Sequence, residues 1–373
     1  MTTFPRLNCV YLDSAATTLK PECVIEAIAD FYRNHDGTVH RAVYSLAQEA
    51  TALYEEARTT VARFVNSSEE IIFTRGTTAS LNLLARSLRP KKVVVTETEH
   101  HSNIVPWQLV GAQVVPIPVN DCGELILDNF EELIEGADLV SLAHISNVTG
   151  TIHPIEEIIA RAHARGVLVA IDGAQAVAHM PVDVSALDCD FYAFSAHKMY
   201  GPTGIGVLYG KRTLLEKMPP VEGGGDMIDN VTFEKSTYNS LPLKFEAGTP
   251  MIAQAIGLKA AIDFVQKVEL DPTLLPYATE KLLSIEGLRI LGTAKNKGGI
   301  VTFVIEGAHP LDVASMLDCR GICVRSGHHC SQPTMRRFGV TSALRASFGV
   351  YNTKADIDAL YEGLQAVLPA LTQ

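Results

Sequence analysis

Phe191-Tyr192-Ala193-Phe194-Ser195-Ala196-His197-Lys198 decides how this chain is read. The apolar run at 191–194 reads as a strand, and Gly201-Pro202-Thr203-Gly204 just beyond reads as a turn. Lys198 therefore sits where a strand gives way to a loop. An amine placed there can form a Schiff base with an aldehyde cofactor, although a lysine by itself more often marks a solvated surface.

Working outward, short β-rich runs alternate with segments of helical period. Strands are expected at 71–74, 93–97, 113–119, 138–144, 167–171, 191–195 and 205–209. Several are continuously apolar, as strands covered on both faces are. Helices are expected over 47–65 and 154–165, the second with Pro154 at its start and Gly166 past its end. The alternation implies an α/β sandwich on a mostly parallel sheet. A long helix over 251–268 is broken by Glu269-Leu270-Asp271-Pro272. Beyond it, a strand at 300–305 and a helix at 354–368 give an α+β pattern. The expected division is a large domain, 13–268, and a small C-terminal domain, 269–373, with segment 1–12 packing on the latter.

Composition narrows the class. The chain has 373 residues, 47% hydrophobic and 20% charged, with a formal net charge of −11. That charge argues against a nucleic-acid binder, which needs a basic face. No apolar run approaches the ~18 residues of a membrane span. The first residues lack the apolar core of a secretion signal, so a cytoplasmic location is expected. Seven irregularly spaced cysteines do not suggest a disulfide framework and read mainly as small buried hydrophobes.

Individual residues leave alternatives open. Asp172 ends a buried strand, at the edge where open α/β sheets bind ligands; it could meet a protonated pyridine nitrogen or simply cap a helix. Gln175 lies three residues on. Arg75-Gly76-Thr77-Thr78 is a strand–glycine turn–helix start, suited to a phosphate or to plain capping. Ser195 and His197 could add donors to such an anion. His100-His101 could stack on a flat cofactor, bind metal or occupy a polar loop. Cys330 follows His328-His329 in a loop rich in Gly and Pro, a setting for a reactive thiolate. A zinc site built with Cys319 and Cys323 lacks regular ligand spacing, and both cysteines read as buried. Arg345, among small and apolar residues, calls for a carboxylate, either of a ligand or within the protein. Glu222-Gly223-Gly224-Gly225-Asp226 reads as a flexible loop near the site.

Taken together, the motifs resemble a known family. Tyr11-Leu12-Asp13-Ser14-Ala15-Ala16, Val39-His40-Arg41, Arg75-Gly76-Thr77-Thr78, Glu99-His100-His101-Ser102-Asn103, Ser146-Asn147-Val148, Asp172-Gly173-Ala174-Gln175, Ser195-Ala196-His197-Lys198, Phe245-Glu246-Ala247-Gly248-Thr249-Pro250 and Arg325-Ser326-Gly327-His328-His329-Cys330 occur in one order along nearly the whole chain. They resemble the group II (SufS-like) cysteine desulfurases, in the class V aminotransferase branch of fold type I pyridoxal-phosphate enzymes. The resemblance implies a large domain on a mixed, mostly parallel seven-stranded sheet and a small α+β domain. It implies pyridoxal 5'-phosphate held covalently by Lys198, with Asp172 at the ring nitrogen, Gln175 at the ring oxygen and His100 on the ring face. Thr78, Ser195 and His197 would bind the phosphate, with Thr249 reaching in from a second subunit of a homodimer. Asn147, Arg345, Arg325 and His40 would lie at the substrate, with Arg345 dominant on its carboxylate. Cys330 would take the sulfur of L-cysteine as a persulfide, leaving L-alanine. A SufE- or SufU-type protein would carry that sulfur to iron–sulfur cluster assembly. No metal is implied.

A selenocysteine lyase, a class V transaminase or β-lyase, and a non-enzymatic Cys/His metal or sulfur carrier are the competing readings. Two features depart from the group II pattern: Ser331 stands where Ala usually follows the cysteine, and the segment before Tyr11 is short.

Overall fold

The computed structural model describes residues 3–5 and 8–371. The expected packing of 1–12 therefore lies partly outside the described residues. Within them, Val10–Tyr11 (β1) pairs in parallel with Ile322–Cys323 (β13), and Leu12 joins the core around Phe303 and Leu344.

Glu70–Thr74 (β2), Lys92–Thr96 (β3), Gln113–Ile117 (β4), Leu139–Ala143 (β5), Leu168–Asp172 (β6), Phe191–Ser195 (β7) and Gly206–Gly210 (β8) form one sheet of seven strands in the order β2-β8-β7-β6-β5-β3-β4. Strand β8 runs antiparallel to both neighbours, and all other pairs are parallel. Each expected strand is present. The expected ranges 113–119 and 138–144 are shorter in fact: the first loses Pro118 and Val119, where the apolar run continues after the ladder has ended, and the second loses the polar ends Asp138 and His144.

The continuous apolar runs follow from cover on both faces. In β2, Ile71 and Phe73 enter one hydrophobic cluster and Ile72 the other. In β7, Tyr192 and Phe194 take the first face, Phe191 and Ala193 the second. Successive strand side chains point to opposite faces, so both sets must be apolar. Helices Ser45–Phe64 and Ile252–Val265 cover the first face, and Thr77–Leu88 the second. Gly257 lets two helices approach: a Cβ there would lie 2.8 Å from Ile28 Cδ1.

Leu288–Leu291 (β11), Ile300–Ile305 (β12), Arg325–Gly327 (β14) and Ala343–Ser347 (β15) make a separate antiparallel sheet, ordered β11-β12-β15-β14. Helices Leu274–Leu283 and Lys354–Val367 pack on it around their own core. A hairpin of Ile228–Val231 (β9) and Ser236–Tyr238 (β10) stands apart.

The cysteines correct the sequence reading. Only Cys189 is buried; Cys23 and Cys319 are exposed, and Cys9, Cys122, Cys323 and Cys330 lie between. Cys319 follows helix Pro310–Asp318 at its C-cap, so its apolar sequence neighbours belong to the opposite, core-facing side. Among the described residues no three His, Cys, Asp or Glu side chains gather as metal ligands, and no helix is long and apolar enough to cross a membrane.

Candidate active site

A cavity of about 220 Å³ opens at the carboxyl ends of β5, β6 and β7 and is closed from the other side by β14, β15 and the Cys330 loop. Thr78, His100, Asn147, Asp172, Gln175, Ser195, His197, Lys198, Arg325, Cys330 and Arg345 all line it. Sequence positions more than two hundred residues apart thus meet at one place.

Strand β7 ends at Ser195, and a 3-10 turn, Ala196–Lys198, lifts the lysine into the cavity. Burial pushes the Lys198 amine below its usual range, Asp172 opposes that shift, and Arg345 adds to it. Burial raises the Asp172 carboxyl, which accepts a 2.9 Å bond from Ala174 N at the end of β6. Gln175 donates one side-chain N–H to the Ala15 carbonyl at 2.8 Å, which leaves its second N–H.

The anion pole lies at the start of helix Thr77–Leu88, whose first-turn amides have no partner within the helix. Ser195 Oγ accepts from Thr77 N at 2.8 Å, and Thr78 Oγ1 lies 2.7 Å from Ser102 Oγ. Gly76 enters this helix at φ 144°, a conformation open to glycine. Directly behind it Gly206 is also required, since a Cβ there would sit 2.4 Å from Gly76 Cα.

His100 accepts from Ser102 N at 3.1 Å through Nδ1, which puts the proton of the neutral ring on Nε2. Desolvation, aided by Lys198 and other cations, drives the His100 imidazole down to about 3, so the ring is neutral. His197 is likewise held neutral by burial, at about 4.

On the opposite wall Arg345 is buried. It donates to the Asn147 carbonyl at 2.9 Å and to Asp13 Oδ1 at 3.1 Å, while its Nε has no partner among the described residues. Arg325 meets the other Asp13 oxygen at 3.5 Å. Asn147 spends a side-chain N–H on the His329 carbonyl at 2.8 Å. His329 and Cys330 both have positive φ, 51° and 55°, an uncommon state for residues other than glycine. A lattice of bonds holds them there. His101 N donates to the Cys330 carbonyl at 2.7 Å, Cys330 N donates to His328 Nδ1 at 3.2 Å, and His329 Nε2 donates to the Ala343 carbonyl at 3.0 Å. Ser331 is fully buried and donates to the Glu99 carbonyl at 2.6 Å. The serine that departs from the expected alanine is thus a tether between the cysteine loop and the His100 loop.

Two expected site residues lie elsewhere within one chain. His40 does not line the Lys198 cavity; its Nε2 meets Glu55 at 3.0 Å and its ring meets Tyr54 edge-on. Thr249 lines a second cavity of about 720 Å³, which shares Thr77, Thr78, Ser195 and His197 with the first. The Glu222–Asp226 loop also borders that second cavity, through Glu222, and is held by an Arg75–Glu222 ion pair and a bond from Gly248 N to the Gly225 carbonyl. Asp13, Ser102 and Glu99 carried no assigned role in the sequence. All three lie within quoted motifs, but only the fold reveals what they touch. Glu99 is fully buried, accepts from Thr96, Asn103 and Ala143, and is raised by desolvation to about 7.

The aminotransferase class-V family model matches residues 10–360 of this chain. The chain belongs to the class-V aminotransferase family. A probable cysteine desulfurase of Halalkalibacterium halodurans is 51% identical to it over 95% of this chain and 92% of its own length. One from Vibrio cholerae is 48% identical over 97% and 94%. The crystal structure of the cysteine desulfurase CsdA (S-sulfonic acid) from Escherichia coli superposes with a TM-score of 0.91 at 42% identity, covering 99% of this chain and 97% of that one. The apo cysteine desulfurase of Thermococcus onnurineus NA1 gives 0.93 at 39% identity, over 97% and 95%.

Class-V aminotransferases of this kind are enzymes that work with pyridoxal 5'-phosphate, and the residues present fit that group. A buried carboxylate offset by Lys198 and one backbone amide, and still raised by burial, suits a pyridinium nitrogen. A helix start with added hydroxyls suits a phosphate. An amine held low by burial suits imine formation.

Proposed function

We propose that this chain is a cysteine desulfurase: it converts L-cysteine to L-alanine and leaves the sulfur as a persulfide on Cys330. The observation that carries the reading is a single cavity lined by Asp172 and Arg345, from two separate sheets, and by Lys198 and Cys330, from the turn and loop beside those sheets. We place the domain division at 268/269, with 13–268 and 269–373 supported by their separate cores.

Each residue has a task in this reading. Asp172 would pair with the ring nitrogen, Gln175 with the ring oxygen and His100 with the ring face. Thr78, Ser195 and His197 would hold the phosphate. Arg345 takes the substrate carboxylate in its planar fork, with Asn147 and Arg325 beside it. Bound pyridoxal phosphate supplies an electron sink that acidifies the substrate Cα. Lys198 Nζ would take the Cα proton; burial lowers its proton affinity and so favours the neutral amine that a base needs. Cys330 Sγ, as thiolate, attacks the substrate sulfur. A sulfur–sulfur bond forms, the Cβ–S bond breaks, and its electron pair goes with Cβ, which takes up a proton as alanine forms.

The pinned cysteine loop bears on sulfur delivery. Bonds to His101, Glu99 and Asn147 hold it at the cavity, which favours an acceptor protein of the SufE or SufU type that comes to Cys330 and feeds iron–sulfur assembly. A homodimer completes the reading, with Thr249 and His40 of one copy serving the site of the other. A cytoplasmic location goes with it.

Trapping tests this directly. After L-cysteine is added, intact-peptide mass spectrometry should find one extra sulfur on Cys330, and Cys330→Ala should keep the visible cofactor band while forming no alanine. Normal turnover by Cys330→Ala would refute the nucleophile, and a 2-oxo acid product without alanine would make the enzyme a transaminase.

A further inference from the structure

The residue before Lys198 is held in an unusual way. The carbonyl oxygen of His197 receives Thr18 N at 3.0 Å, Thr17 Oγ1 at 3.1 Å, Lys20 Nζ at 3.1 Å and Thr18 Oγ1 at 3.2 Å. A carbonyl has two lone pairs, so four donors share it, and any rotation of the His197–Lys198 peptide disturbs all of them. Thr18 Oγ1 also accepts from Tyr200 N at 2.7 Å, so one side chain brackets the lysine from both sides.

Lys20 is the centre of this arrangement. Its ammonium donates to the His197 carbonyl, to Thr17 Oγ1 and to the Thr18 carbonyl, using all three of its protons. Among the described residues no carboxylate forms an ion pair with it, and burial pushes the amine down to about 8. A cation kept half-buried without a counter-ion costs stability. Salt-bridge formation therefore does not account for its position.

The same segment reaches the opposite wall. Asp13 binds Arg345, Ala15 N donates to Ser347 Oγ at 2.8 Å, and the Ala15 carbonyl accepts Gln175. Residues 13–20 thus form a strap that touches the lysine turn, the ring-oxygen partner and the arginine strand.

We infer that Lys20 is a positioning residue for Lys198: its caged ammonium fixes the His197–Lys198 peptide and so aims the lysine at the substrate Cα. A small turn of that peptide is magnified along the four-carbon stem, and proton transfer tolerates little misplacement. The inference rests on the proposed role of Lys198.

The test uses holoenzyme and L-alanine in D2O, where loss of the Cα proton is followed by NMR and needs no Cys330 chemistry. Lys20→Met should lower kcat for exchange by roughly ten-fold, with KM for alanine changed less than about two-fold and the melting temperature nearly unchanged. Lys20→Gln, which keeps a donor, should regain most of the rate. Exchange within two-fold of the native rate, a change confined to KM, or Lys20→Gln as slow as Lys20→Met would each overturn the assignment. If Lys20→Met does not fold, Thr17→Val removes another of the four donors. A drop of about three-fold in the same kcat supports the clamp, and no drop overturns it. Native protein that shows neither exchange nor a visible cofactor band would instead refute the proposed function, and the clamp with it.

Discussion

The two walls of the cavity are built in opposite ways. On the lysine wall, strand β7 and its neighbours are buried on both faces, and Lys198 follows directly from where the strand ends. On the cysteine wall, His329 and Cys330 hold positive φ in a loop, and side-chain and loop bonds to His101, Asn147 and Glu99 keep them there. One wall is placed by sheet geometry, the other by a few cross-sheet hydrogen bonds. In the proposed reading, chemistry common to many pyridoxal enzymes falls to the wall placed by the sheet, while the sulfur-accepting step falls to the wall that specific contacts must hold.

Substitutions at the two centres should separate these walls most sharply. Lys198→Ala should lose the native cofactor band and slow alanine formation by about 10³-fold or more. Cys330→Ala should lose alanine formation while keeping the band and α-proton exchange. Spectra and exchange rates check this, and a Cys330 variant that also loses exchange would collapse the distinction.

Arg345 joins the walls, since it comes from β15 and binds Asp13 and Asn147. Arg345→Lys removes the fork and the bidentate contact, so KM for L-cysteine should rise roughly 10–100-fold with a smaller change in kcat. Steady-state kinetics decides it; an unchanged KM would move the carboxylate elsewhere.

Acid probes the rigid wall. His153 is buried, its Nδ1 has no partner among the described residues, and burial holds its ring at about 4 against the usual 6.5. His144 is held at about 4 as well, and its amide donates to the Asp172 carbonyl. Both folded values lie below the unfolded ones, so the unfolded chain binds more protons between pH 4 and 6.5. Stability should therefore be fully present above pH ~6.5 and fall as pH drops toward 4, by on the order of 3 kcal/mol per such group. His153→Gln should flatten the acid limb of melting temperature against pH; an unchanged slope would rule out His153 as its source.

Ser331→Ala gives the smallest change. It strands the buried Glu99 carbonyl, which should cost about 1–3 kcal/mol, read as a lower melting temperature. Persulfide formation should slow more than α-proton exchange, because the lost tether is the bond that pins the cysteine loop, whereas Glu99 keeps its side-chain bonds to Thr96, Asn103 and Ala143. Equal slowing of both would show that the walls are not independent.

The legible part of the site follows this division. Asp172, Ser195 and Lys198 could be located from strand endings, since an apolar run that stops at a polar residue marks the sheet edge. The Cys330 loop could be recognised by its residues but not placed, because its position depends on partners more than two hundred residues away. His40 and Thr249 lie outside the single-chain cavity, and Asp13 entered only through its contact with Arg345. Cys319 misled, because neighbours in sequence occupy different faces of a helix.

By itself the sequence determined the α/β layering, the seven strands and the residue types available for chemistry. Those depend on local periodicity and burial, which are properties of short stretches. The tertiary structure alone decided that Lys198 and Cys330 face one cavity, that Ser331 tethers two loops and that Lys20 cages the peptide before the lysine. Such contacts join distant segments, and their geometry exists only once both sheets have packed.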